Sequence, residues 1–173
     1  ALTTTVIANL STLQIGGMSA AQLSNLSNFA ALSSGQVTGI SNAQFAALTT
    51  TALTALSTAQ IGGVTTTQIT NLPVSDFQVL SAAQLSELSL TQTGYISTTD
   101  LAVLTTVQLG GFTSAQLGAM SGNQIGSFST TALANLSTTQ VGGLSAAQVG
   151  GLSTTAINAL TTTVISNFST LQI

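Results

Sequence analysis

The chain repeats itself every eight residues, and eight is a period that neither regular secondary structure can carry. LSTAQIGG (56–63) is followed by VTTTQITN (64–71), and 22 such units run from Leu2 to Phe168, with one six-residue unit at 26–31. Position 1 is apolar in all 22, and position 2 is Ser or Thr in 21, Pro73 being the exception. Position 5 is Gln in 14 of the 21 units that have one in register and Asp in two more; position 6 is aliphatic or Phe in nearly all, Thr93 being an exception. A helix advances about 100° per residue, so an apolar stripe with this period drifts about 80° per unit and winds round the axis. A strand sends positions 1 and 6 to opposite faces. No single helix or strand runs through several units.

One local structure matches the octad position for position. With position 2 as an N-cap, its hydroxyl accepts from the backbone N–H of position 5, and the Gln there reaches back to the cap's own N–H, which makes a capping box. Ser57 then pairs with Gln60, Thr65 with Gln68 and Ser137 with Gln140. The apolar residues at positions 1 and 6 become a hydrophobic staple, Leu56 with Ile61 and Val64 with Ile69. Gly or Asn at position 8 is expected to end the turn in the left-handed conformation. Each cap contributes about 1 kcal/mol, but an isolated turn is far shorter than the ~12–15 residues at which a helix becomes marginal in water. The turns must therefore stack and bury positions 1 and 6 together, which predicts an all-α solenoid of short capped helical turns. A β-solenoid with two octads per rung is the alternative, since Val, Ile and Thr favour strands.

Residues 1–173 read as a single continuous repeat array. LTTTVIANLSTLQI (2–15) recurs as LTTTVISNFSTLQI (160–173), an offset of 158 residues, so the chain is expected to be slightly more than one super-repeat of a longer array. The hexad at 26–31 is expected to dislocate the coil locally. Octads 72–103 hold the only Pro, the only Tyr, all three carboxylates and Thr93. That clustering predicts a contact patch of Pro73, Asp76, Glu87, Tyr95 and Asp100; relaxed sequence in a redundant array explains it nearly as well.

Composition excludes more than it includes. There is no Lys, Arg, His or Cys, and 2% of residues are charged, against about a quarter in ordinary proteins. Phosphate backbones are held mainly by Lys and Arg, so nucleic acid is excluded as a partner. A Ser or Thr interrupts nearly every eighth position, so membrane insertion is not expected. Ser and Thr abound without a base to activate them, and no catalytic residue, cofactor site or metal site is expected. Asp76 and Asp100 stand at position 5, where their expected role is to partner the cap, and no calcium loop accompanies them. Asn-x-Ser sequons at Asn9, Asn25, Asn135 and Asn167 arise where position 8 of one octad meets position 2 of the next, and a by-product of the repeat is the simpler reading.

The octad L-[ST]-[ST]-x-Q-[IVL]-x-x resembles the LTTAQI-type repeat tracts of very large bacterial secreted or surface proteins, adhesins and type I secretion substrates among them. The resemblance covers the whole chain. It implies an extracellular or cell-surface location and brings no catalytic residues with it. The expected function is structural and non-enzymatic: a filament, sheath or surface fibre built by coil stacking, with the chain itself as its main partner. The competing expectation is an adhesive or ice-binding module that presents Thr- and Ser-rich faces, with surface glycans as partners.

Overall fold

Two extended residues and one turn of helix make up each octad. At Met120 and Ser121 the backbone is extended (ψ 152° and 160°), and the helix Gly122–Ser127 follows at once. The computed structural model describes residues 3–26, 28–170 and 172. Among them, 20 α-helical turns of four to six residues and one 3-10 turn, Phe29–Ala31, succeed one another, and no strand occurs. The fold is an all-α repeat solenoid, and the β-solenoid alternative is set aside. The extended pair supplies the corner between turns, because the N-cap residue keeps non-helical dihedrals while its carbonyl starts the next helix.

The left-handed stop expected at position 8 is not used. No described residue has a positive φ; Gly39 lies at φ −76°, ψ −12° and Asn71 at φ −98°, ψ 1°. Asn ends the turn with its side chain instead. Nδ2 of Asn71 donates to the Thr67 carbonyl at 2.7 Å and that of Asn135 to the Thr131 carbonyl at 2.7 Å. Gly serves a different need, close approach between coils. A Cβ on Gly39 would stand 2.8 Å from the Cβ of Thr12, and one on Gly63 or Gly143 would run into the backbone of Ser34 or Ser114.

The chain forms two compact units, residues 1–87 and 88–173, each built by the same rule. In the N-terminal unit, Asn42–Ala46 packs on Thr66–Thr70, three octads later. In the C-terminal unit, Leu90–Gly94 packs on Ser114–Ala119 and Thr98–Ala102 on Gly122–Ser127, again three octads later. Three octads therefore complete a coil. Positions 1 and 6 fill its interior, with Leu53, Leu85, Leu101, Leu117 and Ile125 all fully buried. Thr93 holds a position-6 place in that core at 0% exposure because its hydroxyl donates to the Ser89 carbonyl at 2.9 Å.

The hexad takes the place of an octad and does not dislocate the coil. Phe29–Ala31 packs on Thr4–Ala8, three units earlier, and Thr12–Gly16 packs on Ser34–Thr38, three units later. Phe29 is buried and acts as the position-6 residue, so the two residues dropped come out of the helical turn, which tightens to 3-10 geometry. The coil is shortened but keeps its three sides. The close-approach role of position 8 is tested by one substitution there and, for comparison, one at a position 7. Gly63→Ala is expected to destabilise the chain by about 1–3 kcal/mol through overpacking. Gly110→Ala, whose Cβ would meet nothing within 4 Å, is expected to stabilise it by about 0.5–1 kcal/mol. Urea-unfolding midpoints compare the two.

Candidate interaction surfaces

The amide of the position-5 Gln is used on both sides. At Gln60, Oε1 accepts from the Ser57 N–H at 2.7 Å while the Gln60 N–H donates to Ser57 Oγ at 3.3 Å. The same box closes at Thr65 and Gln68 (2.7 and 3.1 Å) and at Ser137 and Gln140 (3.0 and 3.2 Å). Leu56, Ile61, Val64 and Ile69 lie buried beside these boxes. The other end of the amide then crosses to the preceding coil. Gln60 Nε2 donates to the carbonyls of Leu32 and Phe29, 28 and 31 residues back. Gln68 reaches Ile40 and Val37, and Gln140 reaches Phe112 and Leu109, at the same offsets of 28 and 31. Across the hexad the shorter offset becomes 26, with Gln36 Nε2 on the Leu10 carbonyl at 2.7 Å.

This second role had one signal in the sequence. A capping box takes Glu as readily as Gln, yet no position 5 holds Glu. Of the two, only Gln has both an acceptor for the cap and a donor for the preceding coil. Buried Gln side chains need both, since an unpaired buried polar group costs about 1–3 kcal/mol.

The irregular residues fall into different environments. Pro73 is exposed and caps Val74–Phe77 without a side-chain hydrogen bond. It has no N–H for a Gln to accept from, and the same octad carries the half-buried Asp76, whose Oδ1 accepts from Ser75 Oγ at 3.3 Å. Glu87 is exposed at a position 8, and Tyr95 is 56% exposed. Asp100 is buried at 2% exposure, which removes it from any surface patch. It belongs to its own cap: Ser97 Oγ donates to Oδ2 at 2.7 Å and accepts from the Asp100 N–H at 3.1 Å. Asp100 Oδ1 has no partner among the described residues. Desolvation pushes this carboxyl above its usual range, while hydrogen bonding from Ser97 pulls the other way.

Tyr95 is not the single large apolar or aromatic side chain left exposed in its stretch of sequence. Leu90, Tyr95, Val103 and Val107 are exposed by 51, 56, 37 and 73% within the three octads 88–111 of the C-terminal unit. The sequon nitrogens are already engaged, with Nδ2 of Asn9, Asn25 and Asn167 donating to carbonyls four residues back at 2.9, 2.8 and 2.6 Å. Among the described residues no group of three or more His, Cys, Asp or Glu gathers to hold a metal. Among the described residues no helix is long and apolar enough to cross a membrane.

A model of the ALTTAQ repeat matches residues 39–73, 94–130 and 125–154, together more than half of the chain. No curated protein and no solved structure gives a significant match.

Two substitutions probe the amide. Gln68→Ala is expected to destabilise the chain by about 2–3 kcal/mol, because it orphans a half-buried cap N–H and two buried carbonyls of the preceding coil. Gln14→Ala, exposed and bonded through its cap alone among the described residues, is expected to cost about 0.5–1 kcal/mol. For Asp100, a raised folded pKa means that the native state holds its proton more tightly than the unfolded chain does. Stability is then full below the unfolded value of about 3.9 and is lost as pH rises through the folded value. Asp100→Gln is expected to stabilise the chain by about 1–3 kcal/mol at neutral pH, a gain that shrinks on acidification. Melting temperatures of both proteins across the carboxylate range test it.

Proposed function

The chain belongs to the ALTTAQ repeat family, and from that premise we propose that it is a non-enzymatic structural protein. It builds an extracellular filament, sheath or surface fibre by stacking of repeat coils and by self-association. The observation that carries this reading is the Gln bridge, which recurs at an offset of 28 residues within each unit. Bonding of that kind is nearest-neighbour bonding and sets no limit on length. A net charge of −3 over 173 residues leaves little repulsion to keep copies apart.

A second reading, an adhesive or ice-binding face, is favoured by one stretch. Thr130 and Thr131 are exposed, and Thr154 and Thr155 occupy the same positions one coil later. A coil earlier the pair is Thr106 and Val107, so the array is short. Negative-stain electron microscopy of the purified chain, with far-UV circular dichroism, separates the readings. Helical, regular fibres are expected, and a stable monodisperse monomer at every concentration refutes the structural role. Thermal hysteresis or glycan binding without fibres supports the second reading.

A further inference from the structure

The amide that bridges coils is missing at the one place where the repeat is also short. Ala52 stands at position 5 of octad 48–55, and the unit that a Gln there would reach, three units back, is the hexad 26–31. A bridge that spans the hexad uses an offset of 26, as Gln36 Nε2 does on the Leu10 carbonyl. The same offset points position 52 at the Leu26 carbonyl, to which no described residue donates. The cap N–H of this octad is held in another way: Thr49 N–H donates to Ser24 Oγ at 3.1 Å.

A shortened turn and a missing amide together leave a cleft of about 240 Å³ inside the N-terminal unit, lined by Ser24, Leu26, Asn28, Phe29, Ala52 and Ala55. It lies within the array, since Phe29–Ala31 packs on Thr4–Ala8 on its other side. Phe29 and Ala52, 4% and 3% exposed, give it an apolar floor. Beside that floor the Leu26 carbonyl can accept. The Ser24 hydroxyl, already an acceptor for Thr49, keeps its own hydrogen to donate. Asn28 is exposed and makes no side-chain bond to the 3-10 turn that it starts, so its amide can donate and accept at the mouth. An acceptor and a donor against an apolar floor are the complement of an amide that carries a methyl group. One octad further on, the amide of Gln60 fills the corresponding space and donates to the Leu32 carbonyl at 2.7 Å.

We propose that this cleft binds the acetamido group of an N-acetylated amino sugar. The acetamido N–H donates to the Leu26 carbonyl, its oxygen accepts from the Ser24 hydroxyl, and its methyl group lies against Phe29 and Ala52. The ring hydroxyls meet Asn28 and Thr51, which also lines the cleft. The rest of the ligand is a polyol because the mouth offers neutral hydroxyl and amide groups. No charged side chain is among the described lining residues to select an ion, and no described strand offers an edge for a peptide to join. The site goes beyond the filament reading and does not depend on it, and it is separate from the Thr pairs of the C-terminal unit.

Saturation-transfer NMR with N-acetylglucosamine as the probe tests it. The acetamido methyl group is expected to receive the strongest saturation, and glucose and glucosamine are expected to receive none. Ala52→Gln supplies the cleft with the amide that the repeat places elsewhere and is expected to abolish binding. Asn28→Ala removes no described hydrogen bond of the fold and is expected to weaken binding about three- to tenfold, the worth of one hydrogen bond. Thr139→Ala, exposed in the C-terminal unit, is the control and is expected to bind like wild type, with circular dichroism showing that all three variants are folded. A wild type that does not bind N-acetylglucosamine, equal binding of glucose, or a cleft variant that binds like wild type overturns the site. Each of these results leaves the filament reading, which electron microscopy decides, where it stood.

Discussion

The structure depends on one primary amide, placed at position 5 in 14 of the 21 units that have that position in register. Its oxygen closes the start of a helical turn and its nitrogen closes the end of another turn one coil away, so a single side chain satisfies groups that a short helix cannot satisfy for itself. A helix of one turn has as many orphan N–H and C=O groups as a long one and almost no internal bonds to set against them. Twenty such turns are tolerable only if something outside each turn meets its ends. Glu fails the task for want of a donor, and Asp also lacks the reach, as the unpartnered Oδ1 of Asp100 records.

Because the amide is neutral, the solution needs no charge, and the chain has almost none. The apolar core is thin, two residues per octad, and each coil touches only its neighbours. Stability in such an array is a sum of like interfaces. Length is then a variable that the sequence can change without redesign, which is the property a fibre-forming protein needs. Where two coils come closest, the backbone itself is the contact surface, and Gly39, Gly63 and Gly143 leave no room for a methyl group.

Departures from the repeat make sense as local accounts of the same bonding. Pro73 removes the cap N–H, and the octad that carries it has no Gln to accept from that group. Thr93 enters the core by turning its hydroxyl onto its own helix. The hexad loses two residues from its turn and keeps Phe29 where a position-6 side chain belongs. Each octad tolerates a change that leaves its own hydrogen bonds closed, and Asp100 is the one place where a described side-chain atom pays for the exception.

The sequence by itself determined the capped turn. Ser57 with Gln60 and Leu56 with Ile61 are contacts within six residues, and their spacing alone specifies a capping box and a staple. It also determined that the turns must pack on one another, since none is stable alone. Tertiary structure decided how many octads make a coil, and it decided the second bond of a buried Gln such as Gln60, because its partners stand 28 and 31 residues away. It decided as well why Gly stands at positions 39, 63 and 143: local reasoning assigns Gly there to a left-handed stop, whereas the backbone stays at negative φ and the missing Cβ makes room for the preceding coil. Periods within an octad are written in local hydrogen bonds, but the approach of one coil to another is set only when the whole turn closes.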